Sequence, residues 1–337
     1  MILCGAALLT GCSLVDEDLS DCGADFRIDY QLRLVTNITT ELESELGQES
    51  VSPVKELLKD YFKIIFTDYA KNVDLSFYDA QEETMPRLAH MREWMNGSES
   101  SYTLYLPVYK YRHTAVANVQ DVSRVVLADD EVCPAGRLVQ KETEGVLQPH
   151  DIGVFTARKD IDVMAGADQH FEVPLYMANA ATALVLDIAD VTRIKDLSVT
   201  VSGFATEFLI SDSTYVFPEK PAVWSTVCLE DGSGKKCYVS VHFPSRPVPG
   251  SKVVIDDGGG VTGLSPDPLW HWTVHATLTD DSVTESVIHM YNPLAAGHLK
   301  VLAATVQDTG IVTTTDPLVG VSVTLDWHYG GEYPIDL

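Results

Sequence analysis

The chain has 337 residues, of which 45% are hydrophobic and 21% charged, a composition typical of a folded globular protein and not of a disordered one. Its formal net charge of −26 at pH 7 argues against nucleic-acid binding, because such binding needs a basic surface that displaces counterions. The length exceeds what one compact core usually holds, so we expect two domains. No internal stretch reaches the roughly 20 consecutive apolar residues that a membrane-spanning helix needs.

The first residues resemble a processing signal. Residues 1–9, MILCGAALL, are apolar and rich in small side chains, like the hydrophobic region of a secretory signal peptide. The basic residues that usually precede such a region are missing, so we expect the natural start to lie upstream or to have been trimmed. Leu9-Thr10-Gly11-Cys12 then resembles the bacterial lipobox, and it predicts a signal peptide over 1–11, cleavage between Gly11 and Cys12, and acyl chains such as palmitate on Cys12. The alternative is a buried first strand with an incidental cysteine.

An acidic stretch follows the lipobox cysteine. Residues 13–21 carry four carboxylates, which favours a solvated tether over residues 12–23. In some Gram-negative groups, an acidic stretch at this position resembles a signal for export to the cell surface. A calcium loop is not predicted, because the EF-hand spacing and its glycine are absent.

Two disulfides are predicted from the remaining cysteines. Cys4 leaves with the signal peptide and Cys12 takes lipid, so four cysteines enter an oxidising compartment. A two-residue turn at Gly232-Ser233 would place Cys228 opposite Cys237 in a non-hydrogen-bonded pair, close enough for a disulfide. A bridge between Cys22 and Cys133 then follows by elimination. No CxxC or CxxH spacing occurs, so no zinc site is predicted.

The part of the chain after the tether predicts a strand and one or two helices. Residues 26–35, FRIDYQLRLV, alternate apolar and polar side chains, as in a half-buried strand. Ser52-Pro53 opens a helix whose apolar stripe runs from Val54 to Tyr69. A second short helix is predicted near Pro86–Met95, ending at Asn96-Gly97.

Short strands dominate the rest of the chain. Side chains alternate at Val73–Phe77, Tyr102–Leu106, Val199–Val201, Trp270–Leu278 and Val319–Trp327. Turn residues separate these runs at nearly regular intervals, which is the pattern of β-sandwiches. We therefore predict a mainly β fold, with an N-terminal β-sandwich domain over 24–165 that contains the helices and a C-terminal β-sandwich domain over 166–337.

The sequence contains no familiar catalytic motif, and we predict no enzyme and no cofactor beyond the covalent lipid. GxSxG, P-loop, HExxH and GxGxxG patterns are absent. Gly258-Gly259-Gly260 favours a flexible turn, because no helix pattern follows it. His271 and His275 share one face of a strand but lie about 13 Å apart, too far to bind one metal ion, and His289 and His298 can join them only through folding, so no metal site is predicted.

Several short motifs resemble FimB-like fimbrillin-associated anchor subunits: DEDLSDC after the lipobox, VDLSFYDA (73–80), YRHTAVANV (111–119), LYMANAATALVLDI (175–188) and GVSVTLDW (320–327). The resemblance implies two transthyretin-like β-sandwiches in tandem. It also implies a structural protein of cell adhesion, lipid-anchored in the outer membrane at the cell surface, at the base of a fimbrium (pilus). Its partners would be other fimbrial subunits, joined by β-strand complementation. The long helix after the first strand departs from the family pattern.

The first strand carries a further implication of the resemblance. In stalk subunits of this kind, a protease cuts after Arg or Lys and removes the first strand. Arg27 and Arg33 lie within the first strand here, and a cut there would separate the body from its lipid, so an anchor is expected to keep the strand intact. The alternative function is a surface lipoprotein that binds glycans, with Trp224, Trp270 or Trp272 as exposed platforms.

Overall fold

A computed structural model describes residues 25–35, 44–66, 70–119, 124–128, 136–141, 145–166, 169–230, 232, 234–248, 265–316 and 319–326. The predicted signal peptide and tether lie outside the described residues. So do the lipid and cleavage positions Gly11 and Cys12, the proposed pair Cys22 and Cys133, and the triple-glycine stretch 258–260.

The prediction of a mainly β sandwich fold is confirmed. Up to residue 177 the strands are β1 (Asp25–Val35), β2 (Ala70–Asp79), β3 (Arg87–Gly97), β4 (Glu99–Pro107), β5 (Lys110–Ala117), β6 (Val125–Ala128), β7 (Arg137–Gln140), β8 (Phe155–Asp162) and β9 (Gln169–Met177). The later strands are β10 (Ala180–Ile188), β11 (Ile194–Ser202), β12 (Glu207–Leu209), β13 (Thr214–Val216), β14 (Val223–Ser225), β15 (Val227–Glu230), β16 (Lys235–His242), β17 (Trp270–Leu278), β18 (Val283–Met290), β19 (Leu299–Val306), β20 (Val312–Thr313) and β21 (Val319–Asp326).

These strands form four sheets. Sheet A has the order β3-β2-β5-β8-β9-β1-β4, and sheet B has the order β13-β12-β7-β6. Sheet C has the order β14-β11-β17-β18-β21, and sheet D has the order β15-β16-β10-β19-β20. Sheets C and D enclose one apolar cluster, to which β10, β11 and β17 all contribute, and so form the second sandwich.

The predicted amphipathic helix is present as α1 (Lys55–Ile65), preceded by a 3₁₀ turn over Glu49–Val54. The α-helix begins later than Ser52 because Lys55 N–H bonds to the Ser52 carbonyl, the tighter spacing of a 3₁₀ turn that contains Pro53. Its apolar stripe is fully buried at Val54, Leu58 and Phe62. The buried side of the helix, sheet A and one face of sheet D together form one apolar cluster.

The second predicted helix is wrong, because residues 87–97 form the edge strand β3. β3 pairs with β2 through Asp74↔Arg92 and Leu75↔Met91. The buried Asp74 carboxylate accepts hydrogen bonds from His90 Nε2 at 2.8 Å and Arg92 Nε at 3.2 Å. His90 and Arg92, which both reach Asp74, are two residues apart, as the strand period requires, and this cross-strand pairing is invisible to a local helix pattern.

The two halves of the chain are closely joined. In sheet D, Ala183 and Val185 pack with sheet A and α1, whereas Leu184 and Leu186 pack inside the second sandwich. Sheet B pairs β7 with β12, with Leu138 opposite Phe208. The domain boundary predicted between residues 165 and 166 comes before β9, which is still a strand of sheet A. The last residue of sheet A along the chain is Met177, at the end of β9.

Candidate strand-exchange site

The first strand is the candidate site, because the motif resemblance leads us to expect that it is either exchanged between subunits or retained. β1 lies inside sheet A and is paired on both edges. It runs antiparallel to β4 from Asp25↔Pro107 to Arg33↔Glu99, and parallel to β9 from Ile28↔Gln169 to Val35↔Tyr176. The side chains that face inwards are fully or almost fully buried: Ile28, Tyr30, Leu32 and Leu34. The alternating apolar and polar side chains of FRIDYQLRLV therefore belong to a strand that is paired along both edges and buried on one face.

Tyr30 connects β1 to β5 across the core. Its hydroxyl forms a short hydrogen bond with His113 Nε2. His113 Nδ1 lies 3.0 Å from the Ser76 carbonyl oxygen, which can only accept, so Nδ1 carries the proton and Nε2 accepts from Tyr30. The His113 ring also stacks on Phe77 at 4.3 Å between centroids. No local sequence pattern indicates this pair, because its two members lie 83 residues apart in the chain.

Both members of this pair are neutral at pH 7. The pKa of His113 is lowered to about 4, mainly by burial; the Ser76 hydrogen bond opposes this shift and the neighbouring Lys159 charge adds to it. Burial also raises the pKa of Tyr30 well above 10, its ordinary value. A neutral, hydrogen-bonded pair can be enclosed in an apolar core at little electrostatic cost.

The two candidate cleavage residues face solvent. The side chains of Arg27 and Arg33 are 60% and 50% exposed. Arg27 Nη2 lies 3.2 Å from Asp29 Oδ1, and Arg33 Nε lies 3.5 Å from Glu172 Oε1 on β9. The backbone at both positions is held in the sheet ladder, so a protease can reach the side chains without being able to bind the main chain in extended form.

The tryptophan platforms of the glycan-binding alternative are wrong. Trp224, Trp270 and Trp272 are 0–2% exposed and lie in the core of the second sandwich. Trp270 and Trp272 pack edge to face at 4.6 Å, and Trp270 Nε1 donates to the Asn292 carbonyl at 2.9 Å. Alternation in WHWTVHATL places Trp270 and Trp272 on one face of β17, but only the structure shows that sheet D packs over this face.

The predicted hairpin register is wrong by one residue. The structure pairs Cys228 with Tyr238, and Leu229 with Cys237. Leu229 therefore packs on the buried face with Cys237, while Cys228 is exposed, and no disulfide joins the two cysteines. A register shift of one residue exchanges the two faces of a strand, which is why the shorter turn had placed the wrong side chain opposite Cys237.

The histidines do not assemble a metal-binding cluster within the described part of the chain. His271 and His289 face each other across β17 and β18, with ring centroids 6.1 Å apart. His271 Nε2 contacts Ser202 Oγ at 2.7 Å, and His275 Nε2 lies 2.9 Å from Glu285 Oε2.

Among the residues described, no helix is both long and apolar enough to cross a membrane.

No protein-family model matches the chain, and no curated protein matches it by sequence. Its structure is similar to a "putative adhesin" from Bacteroides ovatus, with 12% identity, 91% of this chain and 97% of that chain covered, and a TM-score of 0.52. A second similar structure is one of the "putative polysaccharide binding proteins" from Bacteroides thetaiotaomicron, with 8% identity, 87% and 97% covered, and a TM-score of 0.50.

The fimbrial anchor protein Mfa2 from Porphyromonas gingivalis aligns with 9% identity over 89% of this chain and 99% of that chain, at a TM-score of 0.48. A score below 0.5 carries no weight for function. At identities of 12% and below, what this chain shares with the two Bacteroides proteins is the fold.

Proposed function

We propose that this protein is a structural lipoprotein of the outer membrane that anchors a surface fimbria and joins neighbouring subunits by β-strand complementation. In this role it is not an enzyme. Lipid on Cys12 holds the chain at the membrane, residues 13–23 space the body from the bilayer, and the sandwiches carry the contacts to other subunits. The acidic surface, with its net charge of −26, keeps such an exposed protein soluble.

The observation that carries the anchoring role is the position of β1. This strand comes directly after the proposed tether and is hydrogen-bonded to β4 on one edge and β9 on the other. A pull along the tether therefore acts in shear on two ladders at once, and their hydrogen bonds must break together. A subunit that loses its first strand would lose its lipid as well, so retention of β1 suits an anchor.

The fold similarity supports a surface role of the adhesin kind. The Bacteroides ovatus protein is named a "putative adhesin", and its alignment covers 91% of this chain at a TM-score of 0.52. Sandwich proteins with exposed strand edges join readily through added strands, because main-chain hydrogen bonds supply the binding and alternate side chains supply the specificity. The motif resemblance of the chain to fimbrial anchor subunits points to the same class.

The test is the removal of the acylated thiol. In Cys12→Ala, we expect the protein to leave the membrane fraction and fimbriae to be shed into the medium, whereas Cys228→Ala, a substitution at an exposed cysteine of the body, leaves both unchanged. Fractionation, lipid labelling and electron microscopy of the cells give the readouts. Continued membrane retention of Cys12→Ala would overturn the lipid anchor, and normal cell-attached fimbriae in its presence would overturn the anchoring role.

A further inference from the structure

Strands β8 and β9 are paired by hydrogen bonds at one end only, and they are unpaired along the rest of their length. The two strands pair only at Phe155↔Met177 and Thr156↔Tyr176. The remaining residues of β8 pair with β5 alone, and those of β9 pair with β1 alone. We call the opening between residues 157–162 and 169–175 the β8–β9 seam.

Pro174 explains why the ladder stops. Ala178 N–H donates to the Val154 carbonyl at 2.8 Å. In an antiparallel ladder every second residue is hydrogen-bonded to the partner strand, so Tyr176 and Pro174 are the next positions of β9 that would bond to β8. Continued in this register, Pro174 would face Arg158 and would have to donate to its carbonyl. Proline has no N–H, so the ladder cannot continue past Tyr176.

Polar side chains bridge the seam where ladder bonds are missing. Lys159 Nζ donates to the Glu172 carbonyl at 2.7 Å. At the end where the chain passes from β8 to β9, Gln169 Oε1 accepts from Met164 N–H at 3.1 Å, and Gln169 Nε2 lies 3.4 Å from the Asp162 carbonyl. A lysine ammonium thus stands where the N–H of a paired strand would lie, and the backbone groups of Arg158 and Asp160 form no ladder bond with β9.

A cavity of about 610 Å³ lies along this seam and is lined by both strands and by the segment 208–213. Its charge is positive on balance. Each carboxylate of the seam has a cation beside it: Asp160 pairs with Arg112 at 3.1 Å, Asp162 with Lys110 at 3.9 Å and Glu172 with Arg33 at 3.5 Å. Arg158 and Lys159 add two positive charges, in a chain whose net charge is −26. Val173 and the small Ala157 line its inner side.

We infer that the β8–β9 seam accepts an extended, acidic strand from a neighbouring subunit. This inference rests on the proposed function and assigns the acceptor site of strand complementation. The incoming strand replaces the Lys159 ammonium with its own N–H at the Glu172 carbonyl and pairs with the exposed backbone of Arg158 and Asp160. The six residues 157–162 span roughly 20 Å, enough for five or six residues of the guest strand.

The chemistry of the seam specifies the guest. Its alternate side chains are small and apolar, because they lie over Ala157 and Val173. Its other side chains include a carboxylate, because they share the outer face of the sheet with Arg158. A basic strand of the same shape is expected to be rejected by like charge.

The test uses the full-length chain in detergent and two synthetic octapeptides, Asp-Val-Thr-Val-Thr-Val-Thr-Asp and its counterpart with lysine at both ends. We expect the acidic peptide to protect the amides of 157–162 and 169–175 from hydrogen exchange, and the basic peptide to bind at least tenfold more weakly. Protection confined to another strand edge, such as β3, would overturn the site. Protection that rises with protein concentration in the absence of peptide would identify a second copy of this chain as the guest and would overturn a separate acidic partner.

Two variants probe the seam itself. Pro174→Val restores the missing N–H, so β8 and β9 should close on each other and peptide binding should be lost, with an unchanged or raised melting temperature showing that the variant folds. Lys159→Met keeps an apolar stem but removes the competing donor, and we expect several-fold tighter peptide binding. Unchanged affinity in both variants would overturn the inference. That outcome would leave membrane anchoring through Cys12 untouched, since anchoring is measured separately by fractionation.

Discussion

At the scale of single residues, the core contains histidines that stay neutral. His113, His150 and His242 are fully buried. Burial is the main cause that lowers the pKa of each, to about 4 for His113 and about 3 for His242. Between these values and 6.5, the unfolded chain binds protons that the folded chain does not, so the free energy of unfolding falls as pH falls through this window.

The pH effect can be measured on His113 alone. From its pKa of about 4, its contribution lowers the free energy of unfolding by about 2 kcal/mol between pH 7 and pH 5. We expect urea unfolding of His113→Gln to show a correspondingly weaker loss over this interval. His170→Gln, at an exposed position, serves as the control and should keep the dependence of the unsubstituted protein. An identical pH dependence in His113→Gln would contradict the assignment.

Trp272 offers a second residue-scale test, which separates core packing from ligand binding. It is 0% exposed and lies 4.6 Å from Trp270, so Trp272→Ala leaves a cavity and should cost about 3–5 kcal/mol of unfolding free energy. Trp94, 76% exposed on the edge strand β3, is the matched control. Trp94→Ala should stay within about 0.5 kcal/mol. Urea unfolding measures both, and equal effects would contradict the burial of Trp272.

At the scale of elements, β1 is the strand on which the proposed anchoring role depends. A protease binds its substrate as an extended chain, whereas Arg27 is already paired with β4, and Arg33 with both β4 and β9. Tyr30→Phe removes the hydroxyl and leaves the buried His113 Nε2 without its donor, which should cost about 1–3 kcal/mol. We therefore expect limited trypsin digestion to spare both arginines in the unsubstituted protein and to cut after Arg33 several-fold faster in Tyr30→Phe.

Tyr102→Phe is the control for this experiment. Its hydroxyl donates to the Trp94 carbonyl at 2.9 Å in an exposed position, where water can replace it. Digestion of this variant should match that of the unsubstituted protein. Rapid cleavage at Arg27 or Arg33 in the unsubstituted, folded protein would show that β1 opens readily and would favour exchange over retention.

The elements also show how far local patterns reach. Alternation correctly predicted β1 and β17, because one face of each strand is buried and the other is not. It did not separate β3 from a helix, since β3 is an edge strand whose clearest signal, the pairing of Asp74 with His90 and Arg92, lies across the sheet. The register of β15 on β16 was likewise decided by the burial of Cys237 rather than by its turn.

At the scale of the whole molecule, the two halves share their interior. Strand β10 of sheet D is buried on both faces, and sheet B is built from strands of both halves. The apolar surface of one half is therefore covered by the other, and unfolding either would expose it. This arrangement favours one cooperative unit despite the two sandwiches.

Calorimetry tests this cooperativity. We expect one unfolding transition, with calorimetric and van't Hoff enthalpies in agreement. Phe208→Ala, at a fully buried position of β12 packed on β7, should shift the whole transition downwards, with a cost of about 3–5 kcal/mol. Two resolved transitions, with only one of them shifted by Phe208→Ala, would show that the halves unfold independently.

The sequence by itself determined the β class, the strand at residues 26–35 and the amphipathic helix, because each follows from the order of neighbouring residues. The tertiary structure decided which faces are covered. It buried Trp224, Trp270 and Trp272, paired Tyr30 with His113, and opened the seam at Pro174. The physical reason is the range of the interactions: side-chain period and turn chemistry act over a few residues, whereas burial and strand pairing join residues far apart in the chain.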